Sequence, residues 1–373
     1  MNIAIQMIKN KKLLIDIIVG ARPNFIKVAP IFKIYKNNKK IKKKIKFRLI
    51  HTGQHYDYDM SEIIFKQLKI PKPHVNFNIG SGSHAQQCSK IMLKYEETLI
   101  QKKSDYCIVV GDVNSTLACS IAAKKLNVKV IHIEAGLRSN DMTMPEEINR
   151  IVTDSISDIY FTTSKYAVNN LMKEGVKKKN IYFVGNIMID SLMNSLDFIK
   201  KPEIFKKLKL ENEKYILLTL HRPDNVDNIK KLKNLILNLP SKDRLKIIFP
   251  VHPRTKRLLK NIEAHFKFIN FIDPLSYFEF SYLLKKCLIV ITDSGGVTEE
   301  ATVYSKPCIT VRNNTERPET VIDGTNILVG NHYKKISNFI NKAYKGKWKR
   351  SKIPEMWDGK TATRILKILY NFQ

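Results

Sequence analysis

Apolar runs of strand length alternate with helical patterns along almost the whole chain. The runs cover residues 13–19, 48–51, 106–110, 128–133, 159–162, 181–184, 216–220, 246–250, 268–272, 288–292 and 308–311. They are nearly continuous in Ile, Val and Leu, and such runs are typical of strands that are covered on both faces. The pattern therefore predicts an α/β protein built on parallel sheets.

The runs fall into two sets, which predicts two doubly wound domains. No strand pattern occurs between residues 188 and 215, where Lys200-Lys201-Pro202 breaks the alternation. We therefore expect an N-terminal domain over residues 1–188 and a C-terminal domain over residues 189–358. From Gly359 the chain has the pattern of one amphipathic helix, over residues 359–373.

Length and composition are ordinary for a soluble globular protein. The chain has 373 residues, enough for two separate cores, with 43% hydrophobic and 27% charged residues. No apolar run is long enough to span a bilayer, and Asp16 interrupts the first run, which favours a strand over a secretory signal. Five cysteines without Cys-x-x-Cys spacing indicate a reducing cytoplasm.

The charge balance requires that nucleic acid and membrane partners be considered. There are 65 basic and 34 acidic residues, a formal net charge of +31. The lysines are spread over many helices, and the densest run, residues 36–46, contains no aromatic on which a base would stack. A solvated lysine-rich surface is the favoured interpretation, so we expect neither nucleic acid nor membrane as a partner. A nucleic-acid-binding protein remains the alternative from another class.

Several loops after predicted strands carry polar side chains suited to binding or catalysis. Arg22 and Lys27 follow the first strand at a helix N-terminus, which favours a phosphate. This loop lacks the three glycines of a dinucleotide fingerprint, and the glycines at 80–83 follow no strand, so we expect no NAD and no other cofactor. His51 and His55 lie in a loop rather than on an HExxH helix, so we expect no metal.

Asp112 and three glutamates within residues 131–150 lie at predicted strand ends or at the start of a helix. Asp112 follows the third confident strand, Glu134 ends the next one, and Glu146 and Glu147 open a helix after Pro145. Each taken singly has an ordinary explanation as a solvated loop or helix-capping residue. Together they lie at the carboxyl edge of a parallel sheet, where α/β proteins bind ligands, and this favours acid/base chemistry.

The second half has a matching set of loops. His221 follows one strand, His252-Pro253-Arg254 the next, and Asp293-Ser294-Gly295-Gly296 opens a helix that carries Glu299 and Glu300. A Ser-Gly-Gly turn brings backbone N–H groups close to a diphosphate. One of the two glutamates is placed to accept hydrogen bonds from ribose hydroxyls.

Nine ordered motifs together resemble those of the non-hydrolysing UDP-N-acetylglucosamine 2-epimerases. They read GARPNFIK, TGQHYD, GDVNST, HIEAGLRS, PEEINR, LHRPDN, HPRT, DSGGVTEEA and RNNTERPE, and the resemblance extends to WDGKTATRI near the C-terminus. It implies two Rossmann-like domains, as in glycosyltransferase-B enzymes, with the active site in the interdomain cleft. It also implies a final helix that packs back on the N-terminal domain, and a homodimer.

The same resemblance implies residue roles and a reaction. The implied catalytic residues are Asp112, Glu134, Glu146 and His221, and the implied UDP-binding residues are Arg22, Lys27, Phe280, Ser294, Gly295, Gly296, Glu300 and Arg317. The implied reaction is reversible C2 epimerisation of a UDP-2-acetamido sugar, UDP-GlcNAc to UDP-ManNAc, through a glycal. The GQHYD and HRPDN variants also resemble relatives that act on UDP-diacetamido sugars. A hydrolysing 2-epimerase or a glycosyltransferase would share the UDP half of such a site.

Overall fold

The computed structural model describes residues 12–54, 70–239, 245–251, 255–256, 259 and 266–372. The chain divides into two compact units, Met1–Ser191 with Glu355–Gln373, and Leu192–Pro354. His55 and the His252-Pro253-Arg254 loop, both singled out in the sequence, lie outside the described residues. Among the described helices, none combines the length and apolarity that a membrane crossing requires.

The first unit contains a seven-stranded parallel sheet. Its strands are β1 Leu13–Val19, β2 Ile45–His51, β3 Val75–Asn76, β4 Tyr106–Val110, β5 Lys129–Ala135, β6 Ile159–Thr162 and β7 Ile181–Phe183. Its helices are α1 Arg22–Asn37, α2 Lys39–Lys44, α3 His84–Gln101, α4 Asn114–Lys125, α5 Pro145–Ile156, α6 Lys165–Lys173 and α7 Ile187–Ser195, which runs into the second unit. The spatial order is β3-β2-β1-β4-β5-β6-β7.

The second unit contains a six-stranded parallel sheet. Its strands are β8 Tyr215–Thr219, β9 Lys246–Pro250, β10 Ile269–Ile272, β11 Ile289–Thr292, β12 Cys308–Thr310 and β13 Asn326–Leu328. Its described helices are α8 Glu203–Lys207, α9 Pro223–Val226, α10 Ile229–Leu237, α11 Tyr277–Lys286, α12 Gly295–Val303, α13 Pro318–Ile322 and α14 Lys334–Tyr344. The order β10-β9-β8-β11-β12-β13 is the 3-2-1-4-5-6 order of a Rossmann-like sheet.

The sheet order fixes where ligands are expected. In each sheet the order reverses beside the first strand, between β1 and β4 in one unit and between β8 and β11 in the other. The loops at the carboxyl ends of strands on either side of such a switch point diverge and leave a crevice. The loops that carry Arg22, Asp112, His221 and Ser294 follow these four strands.

Burial explains why the apolar runs predicted the strands so well. Along β1, Ile17 packs into one core cluster and Ile18 into another on the opposite face of the sheet. Because both faces are covered, nearly every position is apolar. The predicted α/β fold with two parallel sheets is confirmed, and the eleven predicted strands occur with ends that shift by at most three residues. The short strands β3 and β13 were not predicted.

Asp16 is the polar exception inside β1, and it is paired. Its side chain is fully buried, with Arg48 Nε 2.6 Å from Oδ1 and the Tyr95 hydroxyl donating to Oδ2 at 2.9 Å. A buried carboxylate is tolerated when a charge and hydrogen bonds satisfy it. The residue that broke the apolar pattern therefore belongs to the core.

The final helix, α15 Thr361–Tyr370, belongs to the first unit. Asp190 caps it, accepting hydrogen bonds from the backbone N–H groups of Thr361 and Ala362 at 3.0 and 2.7 Å. Burial raises the pKa of Asp190 above its usual value, although these bonds work in the opposite direction. Ile365 and other apolar residues of the helix join the core beneath β1.

Candidate active site

The loop after β1 places basic side chains in the first turns of α1. Asn24 accepts a hydrogen bond from the backbone N–H of Gly20 at 3.1 Å and donates to the carbonyl of Val110 at 2.9 Å, which ties this loop to the end of β4. Arg22 is exposed at the start of the helix, whereas Lys27 is buried. The structure thus places both predicted phosphate ligands at the switch point of the first sheet.

Glu134 stands at an irregular end of β5. Its φ is +71°, and the register with β6 shifts between Ile133 and Ala135. Such a bulge re-aims a side chain, and a positive φ in a non-glycine residue is often found at functional sites. The Glu134 carboxylate is buried, and its Oε2 lies 2.6 Å from Nζ of Lys27.

Gly111 brings the backbone of the β4 loop against this ion pair. Its φ is +69°, and a Cβ built there would lie 3.0 Å from Nζ of Lys27 and 3.5 Å from Oε2 of Glu134. Any side chain at this position would be strained and would crowd the pair. Asp112 is the next residue, so two of the predicted catalytic carboxylates lie on adjacent strand ends.

Asp112 is held by a buried arginine. Its side chain is 31% exposed and forms an ion pair with Arg150, which also lies 2.6 Å from Glu147. Glu147 accepts backbone N–H bonds from Ser139 and Asn140 at 2.9 and 2.8 Å. Burial alone would raise the pKa of Glu147, but these bonds and Arg150 outweigh it and lower the pKa.

Glu146 and Glu147 therefore have different surroundings on α5. Glu147 is buried and accepts hydrogen bonds from the loop that precedes α5. Glu146 is half-buried in the first turn of the helix. The same helix contacts the Asp112 loop, because Asn149 Nδ2 donates to the carbonyl of Asp112 at 2.8 Å. Of the two glutamates, Glu146 is the one whose side chain reaches solvent.

In the second unit, His221 follows β8 and is oriented by Asp293. The His221 ring is 43% exposed, and its Nδ1 lies 3.0 Å from Oδ1 of the fully buried Asp293. Asp293 also accepts from the backbone N–H of Arg222 at 3.0 Å and from Asn225 Nδ2 at 3.0 Å. Burial would raise the pKa of Asp293, but His221 and these donors outweigh it and lower the pKa. A carboxylate on Nδ1 fixes the ring so that Nε2 points away from it.

Ser294, Gly295 and Gly296 form the N-terminus of α12. The Ser294 N–H donates to Thr292 Oγ1 at 3.0 Å, and the helix begins at Gly295. A Cβ on Gly295 would lie 2.7 Å from Oε1 of Glu316, whereas one on Gly296 would meet no atom within 4 Å. The turn is therefore closely packed on one side and open on the other, at a helix end that attracts anions.

Arg317 and Glu299 form a buried ion pair. Nε of Arg317 lies 2.6 Å from Oε1 of Glu299, and both side chains are nearly inaccessible. Next to it, Arg312 lies 2.8 Å from Glu316. The two arginines offset two of the carboxylates that stand near the Ser294–Gly296 turn, which reduces the repulsion that a phosphate would otherwise meet.

Glu300 is a buried carboxyl beside the hydroxyl groups of Tyr277 and Ser281. It is buried, and burial raises its pKa to about 7; a hydrogen bond from Tyr277 opposes this and the neighbouring Glu299 adds to it. Ser281 Oγ lies 3.5 Å from its Oε2. Phe280, the residue before Ser281, is half-buried on α11, so the predicted uracil-side residue and the predicted ribose-side glutamate lie on neighbouring helices.

The described residues offer no metal site: no group of three or more His, Cys, Asp or Glu side chains in that part of the chain is arranged to hold an ion. His51, one of the histidine pair noted in the sequence, accepts a hydrogen bond from the Gly53 N–H at 3.1 Å and packs edge-on against Phe25. It acts as a core residue.

Known proteins of similar sequence indicate the family of this chain. The family described as UDP-N-acetylglucosamine 2-epimerase matches residues 38–370. A Methanococcus maripaludis protein described as a UDP-N-acetylglucosamine 2-epimerase homolog is 47% identical over 87% of this chain and 91% of its own.

The chain belongs to the UDP-N-acetylglucosamine 2-epimerase family.

Among solved structures, the Methanocaldococcus jannaschii UDP-GlcNAc 2-epimerase in complex with UDP-GlcNAc and UDP is 41% identical, with a TM-score of 0.84 over 96% of this chain and 99% of that one. A Pseudomonas aeruginosa relative, 40% identical over 84% of this chain and 87% of its own, is described as a UDP-2,3-diacetamido-2,3-dideoxy-D-glucuronate 2-epimerase. The expected family and the expected enzyme class are thus confirmed. These two relatives are thus named for different UDP-sugars.

Some residues of this epimerase-family site were missed or left without a role at the sequence level. Arg150 was not predicted, although its place on the face of α5 that carries Glu147, three residues away, was a usable signal. His132 interrupts the apolar run of β5, as Asp16 interrupts β1, and is fully buried. Arg138, which had no role, donates to Asp154 at 2.7 Å and to Glu174 at 2.8 Å, and so supports the β5 loop.

Proposed function

We propose that this member of the family reversibly epimerises C2 of a UDP-2-acetamido sugar, with UDP-GlcNAc and UDP-ManNAc as the pair. The observation that carries the proposal is Glu134, held at a positive φ against Lys27 beside the Gly111-Asp112 turn. A strained, buried carboxylate with a second carboxylate on the adjacent strand end suits proton transfer at carbon. The M. jannaschii relative bound to UDP-GlcNAc and UDP supports the choice of substrate.

The reaction needs help because the C2 proton is not adjacent to a carbonyl. When the C1–O bond breaks, its electron pair leaves with UDP and positive charge develops at C1. A base then removes the C2 proton, and the C–H electron pair becomes the C1=C2 double bond of a glycal. Protonation at C2 from the opposite face, followed by return of UDP to C1, gives the epimer without any net change in redox state.

Three carboxylates of the first unit are proposed to handle these protons. Glu134, whose carboxylate is held by Lys27, is assigned the role of base. Asp112 is paired with Arg150, and Glu146 stands nearby at the start of α5. Carboxylates that differ in charge partner and exposure are suited to different roles, one as base and another as acid.

The departing diphosphate needs positive charge and N–H donors. We assign this to Arg22 and to the Ser294–Gly296 turn at the N-terminus of α12, with His221 as a further donor and Arg317 as a fixed cation. Glu300 is assigned to the ribose hydroxyls, because a buried carboxyl on α12 is placed one helical turn beyond that phosphate turn. Phe280 is assigned to the uracil ring.

A second sugar is supported by one relative. The P. aeruginosa protein is described as acting on UDP-2,3-diacetamido-2,3-dideoxy-D-glucuronate. Both candidates share the acetamido group at C2 and the UDP leaving group, so the same carboxylates would serve either. The substrate panel in the experiment below therefore includes both.

The test is deuterium uptake at C2. The purified protein is incubated in D2O, without added NAD, with each UDP-sugar in turn, and NMR follows the C2 proton and the anomeric signals. Deuterated epimer that remains attached to UDP is the expected result. Free UDP and free sugar in stoichiometric amounts would instead identify a hydrolysing enzyme, and no exchange with any sugar would contradict the proposal.

We further propose that the protein works in the cytoplasm as a homodimer. All five cysteines are free thiols, and four are buried, which fits a reducing compartment. Light scattering of the purified protein tests the dimer, since a single species of monomer mass at micromolar concentration would contradict it.

A further inference from the structure

His132 is a fully buried histidine within β5, two residues before Glu134. Its Nδ1 lies 2.7 Å from Oδ1 of Asp154 on α5, and its Nε2 lies 2.8 Å from the carbonyl oxygen of Gly111. The His132 ring therefore connects α5 to the loop after β4, which carries Asp112.

Both partners of this ring are acceptors. The Gly111 carbonyl has no hydrogen to donate. Burial would raise the pKa of Asp154, but the nearby His132 and Arg138 outweigh it and lower the pKa, so Asp154 is a carboxylate. Because the Gly111 carbonyl can only accept, Nε2 of His132 carries the hydrogen of this bond.

Asp154 connects the same ring to the loop after Glu134. Its Oδ2 accepts from the Gly136 N–H at 2.9 Å and from Arg138 at 2.7 Å. At the other end, Gly111 lies against the Lys27–Glu134 pair. The bridge from Asp154 through His132 to Gly111 thus joins the two strand ends on which Glu134 and Asp112 stand.

We propose that His132 is a positioning residue, which sets the spacing between Asp112 and Glu134 by holding the Gly111 carbonyl. It touches neither of these carboxylates and acts only through the backbone of the β4 loop. The inference rests on the proposed function, because the spacing matters only if both carboxylates act on one substrate. A misplacement of about 1 Å in such a pair lowers turnover by about 10²-fold.

Two amide substitutions distinguish the interaction of His132 with Asp154 from its hydrogen bond to the Gly111 carbonyl. The amide nitrogen of asparagine lies near the position of Nδ1 in histidine, and that of glutamine lies near the position of Nε2. His132→Asn therefore keeps a donor for Asp154 and loses the one for Gly111, while His132→Gln does the reverse. We expect kcat to fall about 10- to 100-fold further in His132→Asn than in His132→Gln, with the UDP dissociation constant unchanged in both.

The outcomes distinguish this role from a merely structural one. If kcat falls equally in both variants, or falls more in His132→Gln, the positioning role is wrong. Nitrogen-15 NMR of the wild-type protein labelled at histidine provides a second measurement that needs no substitution. A hydrogen on Nε2 of His132 is expected, and an Nε2 without a hydrogen would overturn the bridge to Gly111. If the wild-type protein shows no deuterium exchange at C2, the proposed function fails instead, and the NMR result still decides the geometry.

Discussion

Nζ of Lys27 lies 2.6 Å from Oε2 of Glu134, and the two residues are 107 positions apart in the chain. The contact joins helix α1, which follows β1, to the bulged end of β5. Both side chains are nearly buried, so each charge depends on the other for its stability. Glu134 is thus both a member of a buried ion pair and the proposed catalytic base.

Replacing Glu134 by Gln removes the base and keeps the shape of the side chain. We expect kcat for C2 exchange to fall by about 10²- to 10⁴-fold, while UDP binding, measured by isothermal titration calorimetry, stays close to wild type. Glu97→Gln, at an exposed helix position, is the control and is expected to change neither quantity. Unchanged turnover in Glu134→Gln would show that another carboxylate is the base.

Lys27→Met leaves the Glu134 carboxylate buried without its charge partner. Breaking a buried pair in this way costs about 3–5 kcal/mol of unfolding free energy. The control is Lys94→Met in the exposed pair with Glu97, where a loss of about 0–1 kcal/mol is expected.

The double variant Lys27→Met/Glu134→Gln removes both charges and is expected to recover part of the lost stability. Urea denaturation of the two single variants and the double variant measures the coupling. If the effects of the two substitutions simply add, the ion pair does not determine stability at this site.

Glu300 makes the stability of the second unit depend on pH. Its folded pKa, about 7, is above the model-compound value of 4.5, so its contribution is fully present below pH 4.5 and is lost as the pH rises through 7. Glu300→Gln cannot ionise. Between pH 5 and pH 8 the wild-type protein is therefore expected to lose about 2–3 kcal/mol relative to Glu300→Gln. Denaturant titrations at both pH values measure this difference, and parallel pH dependence of the two proteins would contradict it.

Gly295 and Gly296 form a matched pair at the start of α12. A Cβ on Gly295 meets Glu316, which Arg312 holds in place, so Gly295→Ala is expected to cost about 1–3 kcal/mol through overpacking. Gly296→Ala meets open space and is expected to stabilise by about 0.4–1 kcal/mol, because it restricts the unfolded chain. Thermal unfolding of both variants tests the difference, and equal midpoints would contradict it.

The strands could be predicted because burial on both sheet faces makes almost every strand position apolar. Val75–Asn76 was missed because a two-residue strand gives no periodic signal. Asn326–Leu328 was missed because its apolar run covers only residues 327–329, which is shorter than any of the predicted runs. The strand-end positions of Asp112 and Glu134 also followed from the sequence, since parallel strands share one carboxyl edge.

Contacts between distant segments could not be predicted. The pairing of Arg150 with Asp112 joins residues 38 positions apart, and nothing local in the sequence specifies it. The positive φ of Glu134 was also invisible, because glutamate gives no sign of a left-handed backbone. The sequence therefore predicted which polar residues lie at the carboxyl edge of the sheet. It did not predict the orientation of their side chains.

The return of the chain to its first unit has a consequence for synthesis on the ribosome. Ala362, Ile365, Leu366 and Leu369 complete the core under β1, and Asp190 holds the start of their helix. A domain usually folds as it emerges, N-terminal part first. Here the first core stays incomplete until residues 361–370 are made, whereas the second unit, Leu192–Pro354, is translated as one uninterrupted segment. The unit whose strands are translated first is therefore the unit that finishes folding last.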